Sequence, residues 1–232
     1  NKAVEQFHNR DYMKSKNSFE LVKKYPIDQE LNAMSQFWIA ECFYKVGDFK
    51  QAIKNYESFR FSNGAVLTNE YLDLDFHIGY AYFDESRPYK KLYSSDVLKQ
   101  SVDLKNAIKY FRNYTHQSNI TDSSKLRKAF LRIADGYFLL KNDSLAIENY
   151  KKSLALGGDD YSYALYQMST SQGLIQDYSG KMQTLQKLTD EFPASKYQVL
   201  SLLNLAQSYK DLTMNLEAID TYLKFINDYP NN

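Results

Sequence analysis

GDFKQAIKNYESF, residues 47 to 59, decides the fold: after a glycine and an acid, the small residue Ala52 stands four positions before a ring, Tyr56. Residues four apart share one face of an α-helix, so the pair places a small and a large side chain on one stripe. The arrangement returns in DLKNAIKYFRNY (103 to 114), NDSLAIENYKKSL (142 to 154) and NLEAIDTYLKF (215 to 225). These pair Ala107 with Phe111, Ala146 with Tyr150 and Ala218 with Tyr222.

A second pattern precedes each of these stretches, with a small residue three positions before a ring: Ala40 and Phe43, Gly79 and Tyr82, Ala134 and Tyr137, Ala206 and Tyr209. Each unit therefore reads as two helices packed as a hairpin. Gly47 supplies the tight turn between two of them. Pro193 and Pro230 fall where a helix must stop, because proline lacks an N–H and clashes with the preceding turn.

These small, aromatic and terminal proline positions resemble the tetratricopeptide repeat, and the resemblance covers nearly the whole chain. The small position of the second helix falls at Ser15, Ala52, Ala107, Ala146, Lys181 and Ala218, which places six units in near-register. The resemblance implies an all-α fold, a right-handed α-solenoid of about six helical hairpins in a single array over 1–232. The repeats run about 1–29, 33–66, 72–121, 127–158, 162–195 and 199–232. The fifth departs most, with Lys181 in place of a small residue and Gln172 in place of a ring, and is expected to be the loosest joint. Such hairpins bury their faces by stacking on neighbours.

Composition agrees with packed helices. There are 21 Tyr and 14 Phe against only 8 Gly and 4 Pro, so breakers are scarce and large rings are plentiful. With 29 basic and 28 acidic side chains, no basic excess supports counterion release, and nucleic acid is not expected as a partner. No run reaches the roughly 18 apolar residues of a membrane span. Asp28, Asp122 or Ser123, Asp159 or Asp160, and Ser195 stand where first helices are expected to begin and can cap them.

The sequence offers no pattern for catalysis. His8, His77 and His116 form no metal-ligand spacing, and Cys42 reads as core packing, so no metal, cofactor or catalytic residue is expected. Asp73 lies four residues before His77 and could pair with it, as a structural or solvated contact. The Gly157–Gly158 pair reads as a turn, and Asp159 and Asp160 as caps.

A geometric surface remains, with a protein or peptide as the expected partner. The resemblance implies that first helices line a concave groove. The inward positions are then Phe37, Glu41, Tyr44 and Lys45 in the second repeat and Asp73, Phe76, Tyr80, Phe83 and Asp84 in the third. They continue with Lys128, Leu131, Asp135 and Phe138 in the fourth, Tyr163 and Tyr166 in the fifth, and Leu203, Gln207 and Lys210 in the sixth. Rings mixed with both charges suit peptide recognition, and Phe37, Tyr44, Phe76, Tyr80 and Phe138 are expected to include at least three accessible rings.

DESRPYKKLYSS, residues 84 to 95, interrupts the third hairpin. The distance from Ala52 to Ala107 is 55 against 35 to 39 elsewhere, which locates an insertion near 84–100. Pro88 should stop the preceding helix, and Ser94, Ser95 or Asp96 can cap an extended second helix. Arg87, Tyr89, Lys90, Lys91 and Tyr93 form a secondary contact candidate beside the plainer reading of a lengthened connection.

The helix ends LTDEFPASKY and INDYPNN resemble repeats of bacterial envelope proteins, such as outer-membrane assembly lipoproteins and the periplasmic partner of the Tol–Pal system. That resemblance implies a periplasmic or outer-membrane-associated location, with the cytoplasm as the alternative. Because NKAVEQFHNRDY already reads as mid-helix, a preceding segment is expected. A self-assembling segment of a longer repeat protein is the alternative function.

Overall fold

The computed structural model describes residues 2–24, 28–87 and 94–230, with the side chains of 94–96 left aside. Within them the chain is all-helical, with two short 3-10 turns and no strand. The helices pair as hairpins of the tetratricopeptide type. These are α1 (Lys2–His8) with α2 (Tyr12–Lys23), α3 (Gln29–Lys45) with α4 (Phe49–Arg60), and α5 (Leu74–Glu85) with α6 (Ser94–Thr115). The others are α7 (Ser123–Leu139) with α8 (Asp143–Leu154), α9 (Tyr161–Leu174) with α10 (Tyr178–Glu191), and α11 (Gln198–Asp211) with α12 (Asn215–Asp228).

The chain divides into two compact units, Asn1–Thr121 and Asp122–Asn232. In the first unit, Phe37, Ala40, Ala52, Tyr56, Phe59 and Ile78 form one core, and Ala3, Phe19 and Ile39 form a smaller one. In the second, Leu131, Ala134, Ala146, Tyr150, Leu165 and Leu188 play the same part. Ala52, Ala107 and Ala146 are fully buried with their rings, as the Ala–x–x–x–ring spacing predicts, and Ala218 is buried beside a half-buried Tyr222. Gly79 makes a close approach of the same kind. A Cβ there would lie 2.8 Å from the Phe111 ring.

Among the described residues, five hairpin turns each carry one left-handed residue: Arg10, Gly47, Lys141, Gln176 and Thr213. Only Gly47 is visible in the sequence as a turn former. The other four accept a conformation unusual for their side chains. In all five of these turns the reversal is closed by a backbone bond to the helix just ended, as in Asp48 N to Phe43 O and Asn142 N to Tyr137 O. The third hairpin differs because of its insertion. Its second helix is indeed extended, 22 residues from Ser94 to Thr115. Tyr89, Lys90, Lys91 and Tyr93 lie outside the described residues, and Arg87 is exposed.

Asp28 caps α3 by accepting from Leu31 N, and Asp122 caps α7 by accepting from Ser124 N and Lys125 N. Asp160 precedes α9 without a side-chain cap bond. Ser195 is not the cap of α11. That helix begins later, at Gln198, and the Ser195 hydroxyl instead accepts from Tyr197 N at 3.2 Å within the turn.

Candidate functional site

The first-helix residues expected to line a groove separate into two classes. Phe37, Phe76 and Phe83 are 3%, 9% and 1% exposed, so these rings belong to the core and are not presented to a partner. The Phe37 ring packs at 5.6 Å from Tyr56, 5.5 Å from Phe59 and 5.1 Å from His77. The Phe76 ring sits 4.9 Å from Tyr80 and 5.2 Å from Tyr114. The reason is packing between helices of one unit: Phe37 meets Tyr56 and Phe59 of its own hairpin and His77 of the next, and Phe76 meets Phe111 and Tyr114 of its own. Leu131 is buried as well, in the core of the second unit.

The carboxylates of Glu41 and Asp135 are also buried, and they are structural. Glu41 accepts a hydrogen bond from the Tyr56 hydroxyl and lies 2.8 Å from His77 Nδ1. Burial alone would raise its pKa, but the bond and charge of His77 and the bond from Tyr56 outweigh this and hold it below its ordinary value. His77 thus reaches across to Glu41 on α3, a partner that its i, i+4 spacing from Asp73 did not suggest. Asp73 receives the Tyr114 hydroxyl at 3.4 Å. Cys42 is fully buried beside this cluster.

Asp135 has three partners. The Tyr150 and Tyr163 hydroxyls donate to it at 2.8 and 3.0 Å, and Arg132 pairs with it at 2.5 Å. Burial is the largest influence here and raises its pKa despite Arg132 and the hydroxyl donors.

A smaller accessible set remains. Tyr44 is half-buried, and its hydroxyl donates to Asp84 Oδ2 at 2.5 Å, joining α3 to α5. Burial, followed by that bond and the Asp84 charge, pushes the phenol far above its ordinary pKa, so it remains a donor. Lys45 is exposed, with its ammonium 5.6 Å from the Tyr44 ring centre. Tyr80 is half-buried and meets Phe111 edge-on at 5.2 Å. In the second unit Phe138, Tyr163 and Tyr166 are half-buried and Lys128 is exposed. Tyr166 stacks at 5.0 Å on Tyr197, a turn residue the repeat register gave no reason to select. Leu203 is half-buried, while Gln207 and Lys210 are exposed on α11.

Three of the five rings expected to be accessible, Tyr44, Tyr80 and Phe138, are therefore partly open. The polar atoms among the accessible groups bind neighbouring helices or are solvated. Among the described residues there is no group of His, Cys, Asp and Glu that could hold a metal ion. No described helix is long and apolar enough to cross a membrane.

A profile of the tetratricopeptide repeat family matches residues 34–60, 163–195 and 200–232, which supports that family. A search of curated proteins finds no match. Among solved structures, the apo form of RapI has a TM-score of 0.65 at 13% identity, with 94% of this chain and 60% of that one covered. YrrB, described as a tetratricopeptide repeat protein with an unusual peptide-binding site, has a TM-score of 0.59 at 12% identity, with 92% of each chain covered. PilF of Pseudomonas aeruginosa has a TM-score of 0.56 at 13% identity, covering 99% of this chain and 90% of its own. At these identities the likeness is one of fold.

Proposed function

We propose that this chain, a succession of tetratricopeptide-type hairpins, is a non-catalytic scaffold that binds a protein segment along its first helices, in a bacterial cell envelope. The observation that carries the reading is the row of partly open rings with charged neighbours. Tyr44, Lys45 and Tyr80 provide it in the first unit, and Phe138, Tyr163 and Tyr166 in the second. Such rings supply large contact area at small entropic cost, and the charges fix register. The envelope location is supported by the form of the helix ends around Pro193 and Pro230.

Recovery of cross-linked partners from envelope extract by the wild type and by Tyr44→Ala/Tyr80→Ala/Phe138→Ala tests this, with circular dichroism checking the fold. Loss of specific partners is expected. Equal recovery of every partner by both proteins would overturn the first-helix reading, and recovery only from cytosol would overturn the location.

A second reading, a self-assembling segment, is favoured by α12. Leu216, Ile219, Leu223 and Ile226 form a stripe there that is 77%, 54%, 52% and 57% exposed. Light scattering across concentration tests it. A mass that stays monomeric at all concentrations excludes self-assembly.

A further inference from the structure

In the second unit the second helices α8 and α10 leave between them a concavity of about 340 Å³, floored by α9. The floor is apolar, made by the buried Leu165 and Met168, with Leu154 on one wall and Thr184 on the other. Lys151 and Lys187 stand at the rim, both exposed. Lys187 is held in place: its ammonium donates to the Tyr161 hydroxyl at 2.6 Å and lies 5.0 Å from that ring's centre. Tyr161 is in turn stacked on Phe192 at 5.4 Å. Lys151 makes no ion pair among the described residues.

The first unit has the equivalent place between α4 and α6, and there it is filled. Aligning Ala52 with Ala146, Gly79 with Ser169 and Ala107 with Lys181 matches Glu57 to Lys151, Arg60 to Leu154, Asp75 to Leu165 and Tyr110 to Thr184. In that unit Arg60 pairs with Asp75 at 2.5 Å, and the Tyr110 hydroxyl donates to Glu57 at 2.5 Å. The Tyr110 ring also stacks on Tyr82 at 5.6 Å. Three differences therefore open the second-unit groove. Threonine replaces a ring, two leucines replace an ion pair, and the rim charge changes from negative to positive.

We infer that this groove is a second binding site, taking an apolar side chain of a partner polypeptide whose adjacent carboxylates pair with Lys151 and Lys187. A volume of about 340 Å³ lies at the small end of ligand pockets and suits an anchoring side chain. Cations flanking an apolar floor select for acidic neighbours of that anchor. A peptide is favoured over nucleic acid because 29 basic and 28 acidic groups leave the chain without a basic excess. The site lies on the second helices and stands or falls independently of the first-helix reading.

The test is a fluorescence-anisotropy titration with a dye-labelled peptide carrying one leucine among glutamates. Controls replace the leucine by serine or the glutamates by glutamines. Wild type should bind the acidic leucine peptide, and more weakly as salt rises through roughly 50 to 300 mM, where screening becomes strong. Each control peptide should bind about tenfold more weakly or worse. Thr184→Tyr, which restores the ring of the first unit and keeps both lysines, should abolish binding. If Thr184→Tyr fails to fold, Lys151→Glu/Lys187→Glu changes only exposed groups and should have the same effect. Tyr44→Ala/Tyr80→Ala/Phe138→Ala should bind the peptide normally, which separates this site from the first-helix surface. Undiminished binding in the lysine variant, equal binding of the serine control, or preferential binding of single-stranded DNA or anionic vesicles would each overturn the proposal.

Discussion

Glu41 in the first unit and Asp135 in the second hold the same place in their hairpins. Each follows the small residue of a first helix, Ala40 or Ala134, and each accepts from a ring hydroxyl 15 residues later, Tyr56 or Tyr150. Their proton affinities nevertheless move in opposite directions: Glu41 is held below its ordinary pKa and Asp135 above it. The difference lies in what the next hairpin brings. α5 delivers the imidazole of His77 to Glu41, whereas α9 delivers the phenol of Tyr163 to Asp135, whose cation comes from Arg132 on its own helix. A repeat thus fixes where a buried carboxylate sits, and the groups around it set the direction in which its proton affinity moves.

The largest break in this comparison should come from Arg132→Met. It removes the cation from Asp135 and leaves a buried carboxylate with hydroxyl donors alone. Removing one partner of a buried pair costs about 3 kcal/mol or more. Urea unfolding with hydrogen exchange resolved by segment should show the loss in α7 to α9. Unchanged stability would show that Asp135 is already neutral in the fold and does not need the cation.

The first unit is tested from its packing. Gly79 stands two residues after His77 on α5, and a side chain there meets the Phe111 ring. Gly79→Leu should therefore push α5 away and destabilise the unit by about 2 kcal/mol through overpacking. It should also weaken the His77–Glu41 contact. Thermal unfolding at the wild-type midpoint would mean that α5 does not approach its partner helix as closely as described.

The hairpins were legible because their signals are local: Ala–Ile–x–x–ring on one helix, small–x–x–ring on the other, and proline after the end. The burial of Phe37, Phe76, Phe83, Glu41 and Asp135 was not, because it depends on contacts with helices distant in sequence, such as His77 for Phe37 and Glu41, Tyr114 for Phe76 and Tyr163 for Asp135. The turns at Arg10, Lys141, Gln176 and Thr213 escaped reading because a left-handed residue other than glycine has no distinctive sequence mark. The missing ring at Gln172 was visible as an irregularity of the fifth repeat. That Thr184 stands in the place of Tyr110 has no local mark, because neither residue belongs to the repeat's recurring positions.

A gentler pair of changes sharpens the comparison. Tyr56→Phe removes a donor from an ionised Glu41 and should cost about 1.5 kcal/mol, in the range of hydrogen bonds to charged groups. Tyr150→Phe leaves Asp135 with Tyr163 and Arg132 and should cost less, about 1 kcal/mol. Equal losses measured by urea unfolding at neutral pH would argue that Tyr163 and Arg132 do not compensate Asp135 for the lost donor.

The smallest effect is in the pH dependence, and it distinguishes the two sites by sign. A carboxylate whose folded pKa is lowered contributes stability that is present above its unfolded value, 4.5 for Glu41, and is lost as pH falls through the folded value. Relative to wild type, Glu41→Gln should therefore be most destabilised near neutrality, with the gap closing on acidification. Asp135 has the opposite sign. Its folded pKa lies above the unfolded 3.8, so the fold binds its proton more tightly and gains stability as pH falls from the folded value toward 3.8. Asp135→Asn lacks that gain, so its deficit should widen on acidification toward 3.8, opposite in sign to the closing Glu41→Gln deficit. Unfolding midpoints of the three proteins from about pH 6 to about pH 3 measure both slopes. Parallel curves for the two variants would dissolve the contrast and place both carboxylates in one electrostatic class, whatever the next hairpin supplies.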